Sequence, residues 1–90
     1  MQTQFLPLNN GNRVHPGMIK GIRLIPGRGV VLVNEYSKII DLIESDADDW
    51  SRLMADVIAA IVQGPKRFTP PDWVAIRREY DAGRLGAVPA

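Results

Sequence analysis

The stretch DADDWSRLMADVIAAIVQGP, residues 46–65, decides the fold class of this 90-residue chain. Its apolar side chains recur at spacings of three and four, which places them along one side of an α-helix. They are Trp50, Leu53, Met54, Val57, Ile58, Ile61 and Val62. The pattern predicts a long amphipathic helix over residues 46–63, with its apolar side covering a core.

Signals for both ends of this helix flank the apolar pattern. Ser45 followed three residues later by Asp48 is a variant of the capping box, in which two side chains satisfy free backbone N–H groups. Acidic residues in the first turn are also favoured by the helix dipole. Gly64-Pro65 predicts the end of the helix, because glycine suits the C-cap and proline cannot continue the hydrogen-bond pattern.

The residues before the helix read as strands separated by turns. Two apolar segments, residues 18–25 and 30–33, are joined by Pro26-Gly27-Arg28-Gly29. Proline fixes φ and glycine permits left-handed backbone, so a β-hairpin is predicted here. Four consecutive aliphatic residues are typical of a strand covered on both faces, which makes residues 30–33 the predicted central strand.

Two further strand predictions extend this hairpin in both directions. Residues 4–8 and 13–15 are joined by the turn Asn9-Asn10-Gly11-Asn12, and Pro7 confines the first of these strands to a sheet edge. Residues 38–44 fit either a strand or a helical stripe, and their β-branched content favours the strand.

A shorter helix is predicted over residues 70–82. Thr69 is the expected cap, the two prolines at 70 and 71 suit the first turn, and Trp73, Ile76 and Tyr80 share a face. The fold class is therefore α+β: an antiparallel β-meander of four or five strands packed against one long amphipathic helix, plus a short C-terminal helix. We expect a single domain, with a core in residues 1–64 and a linker, short helix and tail in residues 65–90.

Composition limits the class of protein. The chain is 46% hydrophobic and 23% charged, which is ordinary for a globular domain. No apolar run approaches the roughly 20 residues of a membrane-spanning helix, so no contact with a membrane is expected. The absence of cysteine excludes disulfides and thiolate metal sites and fits a cytoplasmic location.

Groups that could assemble a catalytic, cofactor or metal site are scarce, so no enzyme is predicted. His15 is the only histidine, and it lies beside Pro16 in a predicted turn. The acidic run near residue 46 lacks the spacing of a calcium loop, and helix capping explains it better. Gly27-Arg28-Gly29 lacks the Lys-Ser/Thr that completes a phosphate-binding loop.

The +1 net charge hides an uneven distribution. Residues 1–38 carry five basic side chains and one acidic, residues 39–64 one basic and six acidic, and residues 65–90 five basic and three acidic. Basic positions on the predicted sheet and after the long helix suggest a nucleic-acid-binding regulator as the alternative function. The candidate contacts are Arg13, Lys20, Arg23, Arg28, Lys66 and Arg67.

The leading prediction is a non-enzymatic factor that binds another protein or itself, as a homo-oligomer, in assembly or regulation. An exposed sheet edge and a short helical arm are both common means of association. The candidate partner-binding residues lie in the C-terminal helix and tail: Trp73, Ile76, Arg77, Tyr80 and Arg84. Whether that helix packs on the chain's own core or on a partner is left open by the sequence.

The order of features in residues 4–62 resembles the small FlbD-type proteins of bacterial flagellar operons and similar short phage proteins. The matching elements are Leu8 to Gly11, Ile19 with Ile22, Val30 to Val33, and the apolar stripe from Leu53 to Ile61. The resemblance implies a layout of hairpins followed by a helix, and a bacterial or phage origin. The turn at Pro26 and the extension from Lys66 onward depart from that pattern, so a flagellar role is not carried over.

Overall fold

Five antiparallel strands and two α-helices form the described part of the chain. The computed structural model describes residues 4–64 and 67–83. The elements are β1 (Leu6–Pro7), β2 (Arg13–Val14), β3 (Gly21–Ile25), β4 (Gly29–Val33), β5 (Ile39–Glu44), α1 (Asp48–Gln63) and α2 (Trp73–Asp81). The α+β prediction is confirmed, including the strand assignment of the ambiguous segment that became β5.

The strands form two sheets instead of one continuous meander. β1 pairs only with β2, whereas β3, β4 and β5 form a separate sheet with β4 in the centre, as predicted. A 3₁₀ helix, Pro16–Met18, separates the two sheets, so β3 begins at Gly21 and not near residue 18. The His15 Nδ1 atom accepts a hydrogen bond from the Gly17 N–H at 3.0 Å, which gives this histidine a structural role in the turn.

The core lies on one face of the three-stranded sheet. Val30 and Leu32 of β4 and Ile43 of β5 are essentially fully buried there. α1 covers them with Trp50, Met54 and Ile58, and the first hairpin and α2 close the sides of the same core. The residues from the hairpin and α2 in this cluster are Leu6, Leu8, Val14 and Trp73.

The start of α1 differs from the predicted capping box. The N-cap is Ala47, which makes no side-chain cap bond, and the helix begins at Asp48. The Ser45 hydroxyl instead bonds locally to the backbone of Ala47, accepting from its N–H at 3.2 Å. The Asp48 carboxylate accepts from the Gly27 N–H at 2.8 Å, so it ties the β3–β4 turn to the helix. At the other end Gly64 is the C-cap, as predicted.

The predicted cap of α2 at Thr69 is wrong, because α2 begins after the two prolines. Asp72 is its N-cap, and its carboxylate accepts from the Ala75 N–H at 3.1 Å. Trp73 is 7% exposed, and its indole N–H donates to the Pro7 carbonyl oxygen at 2.8 Å. α2 therefore packs against the chain's own core, which answers the question that the sequence left open.

Candidate interaction surface

The face of the three-stranded sheet turned away from α1 is the candidate interaction surface, and we call it the outer face. Side chains alternate across a strand, and Val30 and Leu32 point into the core, so Val31 and Val33 point outward. The strand pairing then identifies their neighbours, since paired residues share a face. The outer face consists of Gly21, Arg23 and Ile25 from β3, Gly29, Val31 and Val33 from β4, and Ile39, Leu42 and Glu44 from β5.

Five of these nine positions are apolar. Val31 and Val33 in the central strand are each 6% exposed, whereas Ile25 and Ile39 at the flanks are 39% and 68% exposed. The described helices and the first hairpin all contribute to the core on the opposite face. An antiparallel sheet covered on one side normally carries polar residues on its open side. This sheet instead carries aliphatic side chains there, of which Ile25 and Ile39 are exposed and Val31 and Val33 are buried.

A β-bulge in β5 sets which isoleucine faces outward. Val33 pairs with Ile39 and Leu32 with Asp41, so one extra residue lies between the two pairs. The extra residue, Ile40, packs against the core, and Ile39 stays on the outer face. Asp41 accepts hydrogen bonds from the side-chain amides of Asn12 at 2.8 Å and Asn10 at 3.0 Å, which holds the β1–β2 turn against β5.

Two opposite charges lie on the outer face, on different strands. Arg23 belongs to β3 and Glu44 to β5, and both side chains are exposed. Neither has an ion-pair partner among residues 4–64 and 67–83. The face therefore combines a buried aliphatic centre with one basic and one acidic flank.

The predicted partner-binding residues of α2 come together on the chain's own core. The indole of Trp50 meets the ring of Trp73 edge-on at 6.5 Å and the ring of Tyr80 at 5.1 Å between centroids. The guanidinium carbon of Arg77 lies 4.9 Å from the Trp50 ring centroid, a cation–π arrangement. Ile76 is half-buried against the same core, and Arg84 lies outside the described residues. Partner contact by these residues stays a prediction.

A hydrogen bond between two titrating groups links α2 to the first turn of α1. The Tyr80 hydroxyl donates to Asp49 Oδ1 at 2.7 Å. This bond is the main cause that lowers the pKa of Asp49 below its ordinary 3.8 and raises the pKa of Tyr80 above its ordinary 10.0. The contribution of Asp49 to stability is thus present above pH 3.8 and lost as the pH falls through its folded pKa. The contribution of Tyr80 to stability is present below pH 10.0 and lost as the pH rises through its folded pKa.

Replacing Tyr80 with phenylalanine tests this link. We expect the pKa of Asp49 to rise toward 3.8, because the hydroxyl that stabilises the carboxylate is removed. An NMR titration of the Asp49 carboxyl carbon measures the change. Tyr36→Phe is the matched control, since Tyr36 is 73% exposed and makes no side-chain contact with Asp49, and it should leave the titration unchanged. An unchanged Asp49 titration in Tyr80→Phe would show that the hydrogen bond does not form in solution.

The basic residues predicted to contact nucleic acid are spread over the described part of the chain. Lys20 precedes β3 and Arg28 follows it in the turn, so the two lie at opposite ends of a strand about 16 Å long. Arg13 belongs to the separate first sheet, and Arg23 lies on the outer face. Arg67 is exposed beyond α1, and Lys66 lies outside the described residues. The fold does not gather the described members of this set into one stripe.

Two cavities among residues 4–64 and 67–83 are small. One cavity of about 190 Å³ lies between the start of β3 and the end of α1, and another of about 110 Å³ lies beside Ser51. Both are below the roughly 300 Å³ at which ligand pockets usually begin. The same residues contain no cluster of three side chains suited to hold a metal ion. No helix among them is long and apolar enough to span a membrane.

Comparison with known proteins finds no matching family model, no similar curated protein and no similar solved structure. Of the nine members of the outer face, sequence reasoning named only Arg23 as a candidate contact and missed the other eight, among them Ile25, Ile39 and Glu44. The signal that could have found them is the unbroken aliphatic run in β4, which is typical of a strand buried on both faces. The sequence predicts only one long helix, which can cover only one of those faces.

Proposed function

We propose that this chain is a non-enzymatic interaction protein, of the assembly or regulatory kind, that binds another protein through the outer face of its three-stranded sheet. The observation that carries the proposal is the exposure of two isoleucines, Ile25 and Ile39, on the sheet face opposite α1, around a buried aliphatic centre. Exposed apolar patches bordered by charged residues are typical of protein–protein contacts. The bacterial or phage origin rests on the FlbD-type resemblance alone and is part of the same proposal.

The energetics favour covering this face. Fully burying an isoleucine side chain is worth about 1.5–3 kcal/mol, and Ile39 is 68% exposed in the isolated chain. Ile25, at 39% exposed, adds a smaller gain. Arg23 and Glu44 lie at the border of the apolar patch, where charges supply orientation and association rate more than affinity.

Site-specific photo-crosslinking in the native cells tests the proposal. A photoreactive phenylalanine analogue at position 39 samples the outer face, and the same analogue at position 74 is the control. Val74 is 70% exposed and lies on α2, away from the outer face, so both positions accept the bulky residue at comparable exposure. We expect position 39 to give a discrete protein adduct and position 74 to give none.

The other outcomes point to different surfaces or ligands. A protein adduct at position 74 without one at position 39 would contradict the proposal and place the interface on α2. Adducts that migrate with nucleic acid, and disappear on nuclease treatment, would favour the alternative function of nucleic-acid binding. Because that binding depends on phosphate contacts, its adducts should also weaken as the salt concentration rises.

A further inference from the structure

We infer that the outer face binds the same face of a second copy of this chain, in a two-fold stack whose axis runs parallel to the strands. This inference rests on the proposed function and adds the identity of the partner. It is drawn from the charge pattern of the face, which is complementary to itself in that arrangement. Isologous two-fold contacts of this kind are the commonest way in which identical chains associate.

The pairing of the strands arranges the outer face as three rows across the sheet. One row holds Ile25, Gly29 and Glu44, the next Arg23, Val31 and Leu42, and the last Gly21, Val33 and Ile39. β3 and β5 form the two flanks, so the basic and the acidic side chain lie on opposite sides of the central strand.

A two-fold axis along the strands exchanges the flanks and places β3 over β5 of the second copy. Stacked sheets lie about 10 Å apart with nearly aligned strands. Arg23 of one copy then faces Leu42 of the second copy. It lies one row, about 7 Å along the strand, from Glu44 of the second copy. A long, flexible arginine covers that distance while its aliphatic part stays on the apolar surface. The symmetry repeats this ion pair on the other side.

The alternative two-fold axis, across the strands, is disfavoured by the same charges. It places β3 over β3, so that Arg23 of one copy faces Arg23 of the other when the middle rows coincide. It also places Glu44 over Ile39 of the second copy with no arginine nearby, whereas the axis along the strands places Glu44 over Ile25 and one row from Arg23 of the second copy. Placing like charges opposite each other costs free energy, and so does burying a charge that has no partner. The axis along the strands is therefore preferred.

The size of the face sets the expected strength. Three strands about 4.8 Å apart and five residues of about 3.4 Å give a face of about 10–15 Å by 17 Å. This is smaller than the roughly 800 Å² per partner of a standard interface, so the dimer should be weak. Its dissociation constant is best measured at low salt and at chain concentrations of about 0.1–1 mM, since salt screens the two ion pairs.

Charge-reversal variants test the inference by sedimentation equilibrium. Each single variant, Arg23→Glu or Glu44→Arg, places like charges next to each other at both contacts between positions 23 and 44. We therefore expect the dimer dissociation constant of each variant to be at least about tenfold higher than that of the wild type. An equimolar mixture of the two variants restores both opposite-charge contacts between unlike chains. We expect that mixture to recover the wild-type dissociation constant, which a contact within one chain could not bring about.

Two matched controls reverse exposed charges that lie off the outer face. Arg13→Glu and Glu35→Arg change the net charge by the same amounts and should leave dimerisation unchanged. Circular dichroism verifies that every variant is folded. A wild-type chain that stays monomeric at 1 mM, single variants that dimerise normally, or a mixture that does not recover would each overturn the inference. If the chain is monomeric while position 39 crosslinks a different protein, only the inference is rejected and the proposed function stands.

Discussion

Replacing Trp73 with alanine should lower the free energy of unfolding by about 3–5 kcal/mol. Trp73 is 7% exposed, its indole meets Trp50 edge-on, and its N–H donates to the Pro7 carbonyl oxygen. The substitution opens a large cavity and leaves that oxygen without its partner, and both effects destabilise the folded chain. Urea denaturation, followed by far-ultraviolet circular dichroism, measures the loss.

The neighbouring substitution Val74→Ala is the control for Trp73→Ala. Val74 follows Trp73 in the same helix but is 70% exposed, so its removal should change the free energy of unfolding by less than about 0.5 kcal/mol. Equal stabilities for the two variants would mean that α2 is not docked on the core in solution. That result would restore the helical arm as a surface free to meet a partner.

Replacing Gly29 with alanine should have an effect of similar size, about 4 kcal/mol or more. Gly29 has a φ of +136°, and a Cβ atom there would overlap the Ile43 carbonyl oxygen and approach the Ser45 nitrogen to 2.9 Å. These are backbone atoms of β5 and of the residue after it, and they cannot move aside as a side chain can. The substitution must therefore separate β4 from β5 or change the backbone at position 29, and chemical denaturation reports the loss.

Gly64→Ala is the matched control for Gly29→Ala. A Cβ atom at position 64 meets nothing within 4 Å, and its φ of −137° is open to every residue. We expect a change within about 1 kcal/mol, because only the C-cap of α1 is affected. A Gly29→Ala variant as stable as Gly64→Ala would show that the β4–β5 pairing differs from the one described.

Local signals in the sequence were sufficient for most elements. The spacing of apolar residues predicts α1, and Pro26 with Gly27 predicts the turn between β3 and β4. The N-cap residue of each helix was harder to predict, because several acidic and hydroxyl residues precede each helix. Hydrogen bonds to distant parts of the chain determine which of these residues caps it. Asp48 bonds to the Gly27 N–H across the fold, which no local pattern encodes.

The candidate site was harder to predict than the fold. Trp73 and Tyr80 carry the aromatic character of a partner contact, yet α2 docks them against Trp50. The contrary case is Ile39, which resembles a core residue in the sequence but lies on the outer face because of the bulge in β5. Which face of a sheet remains uncovered depends on where the helices dock, and a single sequence does not state that.

Association of two copies of this chain through the outer face of the sheet can be tested without any substitution. The most direct measurement is a dilution series of amide NMR spectra on the wild-type chain, from about 1 mM to 20 µM. We expect concentration-dependent shifts confined to β3, β4 and β5, strongest at Arg23, Val31 and Ile39. Shifts confined to α2, or spectra identical at every concentration, would contradict the self-association described above.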